Sequence, residues 1–448
     1  MKINQKFNLE KQEILSGSRI LKSNKTKNRI DYVIENANES YLVKNNILNK
    51  KNFIEKFRDY RKAWNDQPKE AINEFVNENK TEDYKLNNSF KPLCIDLELA
   101  SICDLACPHC FREYFATPDK IMSIDFAKKI IMDSINNNVP SMKFNWRGEP
   151  LLHSSLSELI KFAKDKGMLD TIINTNATNL TEKKSMELIN SGLDYMIYSF
   201  DGGTKKTYEK LRPGRFKENK FEKIIQNIRD FSNLKNKLNI KFPYTKIQMV
   251  LMDSNREEVD SFFEIFEPIV DEVTITPYQE RGGNLEDLNK INLDILEKYL
   301  SKNNLSKDTP YMIDGEGNLF ISNQRKTCTQ IFQRLMVTYD GKAGMCCNDW
   351  GAQYNLGYLN DLGFKSRIEE EKVLRNVKEN KKGFELLKDI KMPTEYNKAI
   401  KKVSNIHEIW NSSELNKVRN KHLLNNLDEV NICKGCNSKD TFIWKKIN

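Results

Sequence analysis

The sequence contains no run of about 18 or more apolar residues, so no membrane insertion is expected. Its opening, MKINQKFNLEKQEILSG, lacks the apolar stretch of a signal peptide, and a cytoplasmic location is expected. Histidine is scarce, at four in 448 residues, which argues against an acid–base mechanism built on several imidazoles. No low-complexity tract and no repeat beyond a strand–helix alternation is visible. The formal charge of +9 is spread over the whole chain, so it reads as a solvated surface, and no nucleic-acid partner is expected. What the chain does have is nine cysteines. In a reducing compartment these are read as metal ligands or catalytic thiols before disulfides.

From about residue 91 the chain repeats one unit: a short apolar run, a loop, then a helical pattern. The strand candidates are LCIDLELA (93–100), SMKFNW (141–146), DTIINT (170–175), YMIYSF (195–200), TKIQMVLM (245–252) and EVTITPY (272–278). Helical patterns separate them, with N-caps expected at Ser123 and Thr181 and stops at Gly167 and Gly192. Continuous apolar strands alternating with helices imply an α/β fold with a parallel sheet. Six units predict an open, partial (β/α)6 barrel whose chemistry sits at the C-terminal strand ends. The expected organisation is a helical N-terminal extension (1–90), the barrel (91–290), a connecting segment (291–325) and a small C-terminal α+β domain (326–448). That last part carries a charged helical insertion at 366–402.

The stretch CDLACPHC places Cys103, Cys107 and Cys110 directly after the first strand. Structural zinc wants four ligands, and here there are three, unless His109 is the fourth. A redox pair, Cys107 with Cys110, leaves Cys103 unexplained. Three thiolates holding a [4Fe–4S] cluster with one open iron account for all three. This C-x3-C-x2-C after the first strand of a partial barrel resembles the radical S-adenosylmethionine (SAM) superfamily. In that family the open iron chelates SAM, and one electron cleaves it to a 5′-deoxyadenosyl radical that abstracts hydrogen from the substrate. NWRGEPLL (145–152) resembles the family's Gly-Gly-Glu-Pro motif, with Arg147 in place of the first glycine. The resemblance implies that Glu149 receives the SAM ammonium. NTNA (174–177), YSFDGG (198–203) and LRPG bring Asn176, Ser199, Asp201 and Arg212 to the same pocket, and His109 joins these cofactor-binding candidates.

Cys328, the pair Cys346–Cys347 in VTYDGKAGMCC, and Cys433 with Cys436 in ICKGC make the second group. A hairpin is expected at Asp340–Gly341. The pattern resembles a SPASM or "twitch" domain, which implies an auxiliary [4Fe–4S] cluster on Cys328, Cys346, Cys433 and Cys436. A zinc ribbon fits the same four residues. Neighbours on a strand point in opposite directions, so only one of the Cys346–Cys347 pair is a ligand. Cys347 is then either a packing residue or a thiol that returns hydrogen to the substrate. Cys94, inside the first strand, is expected to pack in the core.

A fully ligated auxiliary cluster implies electron transfer. The resemblance to twitch-bearing enzymes that oxidise aminocyclitol alcohols implies oxidation of an alcohol carbon in a sugar, aminocyclitol or nucleotide-sugar. Asp349 is the candidate proton acceptor, and Tyr278 and Arg281 are candidate substrate contacts. Over residues 91–448 the motifs resemble those of proteins linked to cell-surface sugar biosynthesis. Partners follow as a sugar-like small molecule and an electron donor such as flavodoxin or ferredoxin. Epimerisation through Cys347 is the first alternative. A peptide-modifying enzyme is the second, although residues 1–90 show no convincing run of three short strands.

Overall fold

The computed structural model describes residues 28–77, 90–113, 117–278, 290–306, 309–313, 318–363, 365, 403–434, 436, 438 and 441–447. Arg281 and the charged stretch 366–402 lie outside the described residues. All six strand candidates form. They are β1 (Cys94–Leu97), β2 (Ser141–Lys143), β3 (Asp170–Thr175), β4 (Tyr195–Ser199), β5 (Tyr244–Leu251) and β6 (Glu272–Pro277). They lie side by side in chain order, each parallel to the next.

The connecting helices start and stop where local chemistry directs. Ser123 Oγ accepts from Phe126 N at 3.3 Å to open the helix Ile124–Asn136, and Thr181 Oγ1 accepts from Lys184 N at 3.3 Å to open Glu182–Asn190. Gly167 and Gly192 follow their helices with φ of 92° and 79°, the left-handed conformation that suits glycine. A short helix at Lys205–Leu211, between β4 and Phe221–Lys237, was not foreseen.

The expected six-strand sheet gains two strands from the C-terminal region. After β7 (Tyr311–Ile313) and β8 (Leu319–Ile321), β9 (Arg334–Val337) pairs in parallel with β1, and β10 (Ala343–Gly344) pairs antiparallel with β9. The full order is β10-β9-β1-β2-β3-β4-β5-β6. The unpaired edge of β1 is thus covered by a strand more than two hundred residues away. The predicted hairpin turn at Asp340–Gly341 joins these two strands, with Gly341 at φ 95°. A separate three-stranded antiparallel sheet, β11-β8-β7, ends in β11 (Lys445–Ile447).

The N-terminal extension closes the opposite end of the barrel from the cysteines. It carries the helices Arg29–Glu35 and Lys50–Asn77 and, among the described residues 28–77, no strand. Arg29 donates to both carboxylate oxygens of Asp170, the first residue of β3, and stacks 4.1 Å from the Tyr195 ring centroid at the start of β4. Gln67 Nε2 donates to Phe332 O at 2.5 Å and Gln333 Nε2 to Trp64 O at 2.6 Å, fastening the extension to the segment before β9. No helix among the described residues is long and apolar enough to cross a membrane.

Arg29→Ala leaves a fully buried Asp170 carboxylate without its countercharge. The expected loss is about 3–5 kcal/mol of stability, read by urea unfolding of anaerobically purified protein. A loss below about 1 kcal/mol, the value of a solvated pair, contradicts a structural role for the extension.

Candidate active site

Cys103, Cys107 and Cys110 stand half-buried on the loop that leaves β1. Four backbone contacts hold this loop. Glu149 N donates to Ile102 O at 2.8 Å, Ala106 N to Pro213 O at 2.9 Å, Arg215 N to Asp104 O at 2.8 Å and Cys110 N to Cys107 O at 3.0 Å. Gly148 has φ 68°, and any Cβ there would collide with the carbonyl oxygens of Ala100 and Ile102. Asp104 ties the loop to the end of β3: its carboxylate accepts from Asn176 Nδ2 at 2.8 Å, Thr178 Oγ1 at 2.5 Å and Asn179 Nδ2 at 2.8 Å. Burial pushes the Cys103 thiol up to about 12 and Cys107 upward as well, with the Arg212 guanidinium opposing the shift at Cys107. Such thiols lose their protons to a metal centre rather than to water.

The strand ends above the loop converge as expected, but largely on one another. Glu149 is buried. Its oxygens accept from Thr175 Oγ1 at 2.7 Å, Asn176 N at 2.8 Å and Leu151 N at 3.0 Å. Burial nonetheless raises it to about 7, so a nearby cation is needed to keep it firmly ionised. Asp201 gathers three groups: Arg212 (Nη2 at 2.7 Å), His109 (Nε2 at 3.1 Å) and the backbone N of Val250 on β5 (2.8 Å). The Arg212 charge and the His109 contact hold Asp201 well below the usual carboxylate range, against the opposing effect of burial. His109 Nδ1 is buried with no hydrogen-bond partner within the protein. Ser199 lies half-buried in register with Gln248.

Along β3, β4 and β5, half-buried residues alternate with buried ones, so one face packs on helices and the other lines the interior. That interior face carries Asn174, Ser199, Lys246 and Gln248, and Lys246 lies 3.5 Å from Glu272. Asn174 Oδ1 is buried there without a partner. The same face also carries Ile172, Ile197 and Val250, so the lining is mixed, polar and apolar. Arg147, the departure from the family motif, donates to both oxygens of buried Glu98, whose Oε2 also accepts from Tyr339 N at 3.1 Å. The substituted residue therefore latches the motif loop to the turn between β9 and β10.

The second cysteine group gathers around one pocket. Cys328, Cys346, Cys433 and Cys436 line it together with Arg325, Gln330, Met345 and His422. Among the described residues no three His, Cys, Asp or Glu side chains close on a single point as a metal ion requires. Four thiolates are the donor set of a [4Fe–4S] cluster and of a tetrahedral zinc alike. Cys347 lies outside that lining, and its Sγ donates to Gln330 Oε1 at 3.2 Å. His422 Nε2 is 3.2 Å from Cys433 Sγ, and burial lowers the ring to about 3, keeping it neutral.

Two candidates take other positions. Asp349 is fully buried, and its oxygens accept from Tyr354 N at 3.0 Å and Met345 N at 3.4 Å. It organises the loop carrying Cys346 and Cys347. Tyr278 packs inward with Leu211 and Met252. Sequence reasoning missed Asp104, Glu98, His422 and an aromatic bridge. Phe111 and Trp350 have ring centroids 5.2 Å apart, Trp350 and Trp146 6.5 Å, and Trp146 Nε1 donates to Cys347 O at 3.3 Å. The available signal was position: each bridge residue adjoins or closely follows a motif.

The sequence profile of the radical SAM superfamily matches residues 97–266. The GTP 3′,8-cyclase of Chlorobaculum tepidum is 26% identical over 172 residues, covering 38% of this chain and 49% of its own. The tungsten-containing aldehyde ferredoxin oxidoreductase cofactor-modifying protein of Pyrococcus furiosus is 32% identical over 108 residues, 23% of this chain and 30% of its own. The chain thus spans half or less of each of these two relatives. Among solved structures, BtrN in complex with AdoMet and 2-DOIA aligns at TM-score 0.41 and 14% identity, over 78% of this chain and 93% of that one. SuiB of Streptococcus suis bound to precursor peptide SuiA aligns at 0.43 and 16%, over 70% and 68%.

Arg147→Gly, which restores the glycine of the motif, strands a buried Glu98 and is expected to cost about 3–5 kcal/mol. Adding Glu98→Gln should recover part of it. In a double-mutant cycle read by calorimetry, a coupling near zero contradicts the latch.

Proposed function

We propose that this chain, whose residues 97–266 form a radical SAM domain, oxidises a carbinol carbon of a polar, sugar-like substrate held in the barrel interior. The observation that carries the reading is the cavity lined by Cys328, Cys346, Cys433 and Cys436, the residues suited to a fully ligated second [4Fe–4S] cluster. Taking a hydrogen atom from a carbinol carbon, a proton from its hydroxyl and one further electron leaves a ketone. That last electron needs an acceptor, and the second cluster is one.

Cys103, Cys107 and Cys110 would hold the SAM-binding cluster, which supplies one-electron cleavage of SAM and hydrogen-atom removal from the substrate. The chain's own groups bind and orient. Glu149 keeps one accepting position for the SAM ammonium, since a carboxylate accepts about four hydrogen bonds and three are used within the protein. Arg212 faces the SAM carboxylate while Asp201 fixes its orientation, and His109 Nδ1 meets a polar edge of the same ligand. Asn176 acts by holding Asp104 and so the cysteine loop. Asn174, Lys246 and Gln248 line the interior with donors and acceptors for hydroxyl groups. The first cluster draws its electron from a small redox protein such as flavodoxin or ferredoxin.

Epimerisation is the second reading, favoured by Cys347. Its thiol lies apart from the four cavity residues and is available to return a hydrogen atom. A peptide substrate fits less well. The described part of the N-terminal extension is a helical plug at the far end of the barrel and offers no strands to a leader.

The two readings part in deuterated water. With SAM, reductant and a panel of nucleotide-sugars and aminocyclitols, oxidation gives a product lighter by two hydrogens, and Cys347→Ala turns over as the unsubstituted protein does. A product with one hydrogen replaced by deuterium, one mass unit heavier than the substrate and abolished by Cys347→Ala, contradicts oxidation. Undiminished SAM cleavage by a variant with alanine at Cys103, Cys107 and Cys110 contradicts the site itself.

A further inference from the structure

Within the second cysteine cavity one side chain has its hydrogen bonds arranged in a fixed direction. His422 lies in the last turn of the helix Ser413–Leu423 and is 1% exposed. The backbone N–H of Cys328 donates to its Nδ1 at 3.2 Å. A ring nitrogen that accepts carries the lone pair, so in the neutral ring the proton sits on Nε2. Nε2 lies 3.2 Å from Cys433 Sγ. One cavity cysteine therefore sets the tautomer of the histidine that donates to another. Thr327 Oγ1 donates to His422 O at 2.9 Å, joining the helix end to the segment that carries Cys328.

We infer that His422 is a positioning residue that sets the reduction potential of the auxiliary cluster by donating a hydrogen bond from Nε2 to the thiolate of Cys433. This rests on the reading that Cys328, Cys346, Cys433 and Cys436 hold that cluster. A donor on a ligand sulfur withdraws negative charge and stabilises the reduced, more negative cluster, raising its potential. An acceptor that must drain an electron from the substrate gains from that shift. Cys436 Sγ has N–H donors of its own, and Arg325 reaches Cys433 through the carbonyl. Ser438 N reaches Cys436 Sγ at 3.4 Å, Asn348 Nδ2 reaches the same sulfur at 3.7 Å, and Arg325 Nη2 donates to the carbonyl of Cys433 at 2.9 Å. Among the described residues, His422 is the side-chain donor recorded on Cys433 Sγ.

The test uses the full chain with alanine at Cys103, Cys107 and Cys110, so that any remaining cluster is the auxiliary one. Iron and sulfide content is measured first, then the midpoint potential by EPR-monitored titration. His422→Leu should keep its iron and move the midpoint to lower potential. His422→Gln, which retains an N–H donor, should move it back toward the unsubstituted value. Pulsed EPR on the unsubstituted histidine should show only the weak nitrogen coupling of a hydrogen-bonded ring. An unchanged midpoint in both variants overturns the inference, as does a strong nitrogen coupling, which would make His422 a ligand. If His422→Leu fails to load iron, the glutamine variant and the pulsed measurement decide. Absence of iron and sulfide before any change at His422 refutes the auxiliary cluster itself, and the metal analysis tells that failure apart from the other.

Discussion

The parallel pairing of β9 with β1 is the constraint on which the arrangement depends. Cys94 to Leu97 run in register with Arg334 to Val337. One strand feeds the loop of Cys103, Cys107 and Cys110, and the other leads through a hairpin into the loop of Cys346 and Cys347. Two groups of cysteines far apart in sequence are thereby attached to neighbouring strands of one sheet. The proposed passage of an electron from substrate to a second cluster would require such proximity. A domain on a free linker would not provide it.

Buried carboxylates do most of the fastening at this end of the barrel. Asp104 holds the first cysteine loop to the end of β3, Glu149 holds the motif loop to the same strand, and Asp201 gathers His109, Arg212 and β5. Glu98 with Arg147 joins the motif loop to the β9–β10 turn. Each acid is enclosed and each has several donors, as an enclosed charge requires. The site is thus prepared by acids whose partners lie within the protein, while Asn174 and His109 retain buried atoms with none.

The strands and the cysteine groups were legible because their signals are local. Apolar runs bounded by Ser123, Gly167, Thr181 and Gly192 mark alternating strands and helices, and ligand spacing within a loop is a property of the loop alone. The β1–β9 pairing was not legible, since RLMV reads equally well as a strand of a separate domain. Arg147 read as a departure from a motif, because its partner Glu98 is forty-nine residues away. Asp349 stood in a suggestive place beside two cysteines, but the fold turns it into its own loop, and no spacing argument distinguishes those outcomes. His422 had no local signal: one histidine near the end of a helix reads as ordinary packing, and only its contacts with Cys328 and Cys433 give it a role.

The central claim is that two iron centres are mounted on one sheet, the second enclosed by four thiolates. Anomalous scattering at the iron edge from crystals of anaerobically prepared protein tests it most directly. The account predicts two iron peaks, one beside Cys103, Cys107 and Cys110 and one within the cavity of Cys328, Cys346, Cys433 and Cys436. A single iron peak at the first site, with zinc scattering at the second, would contradict it.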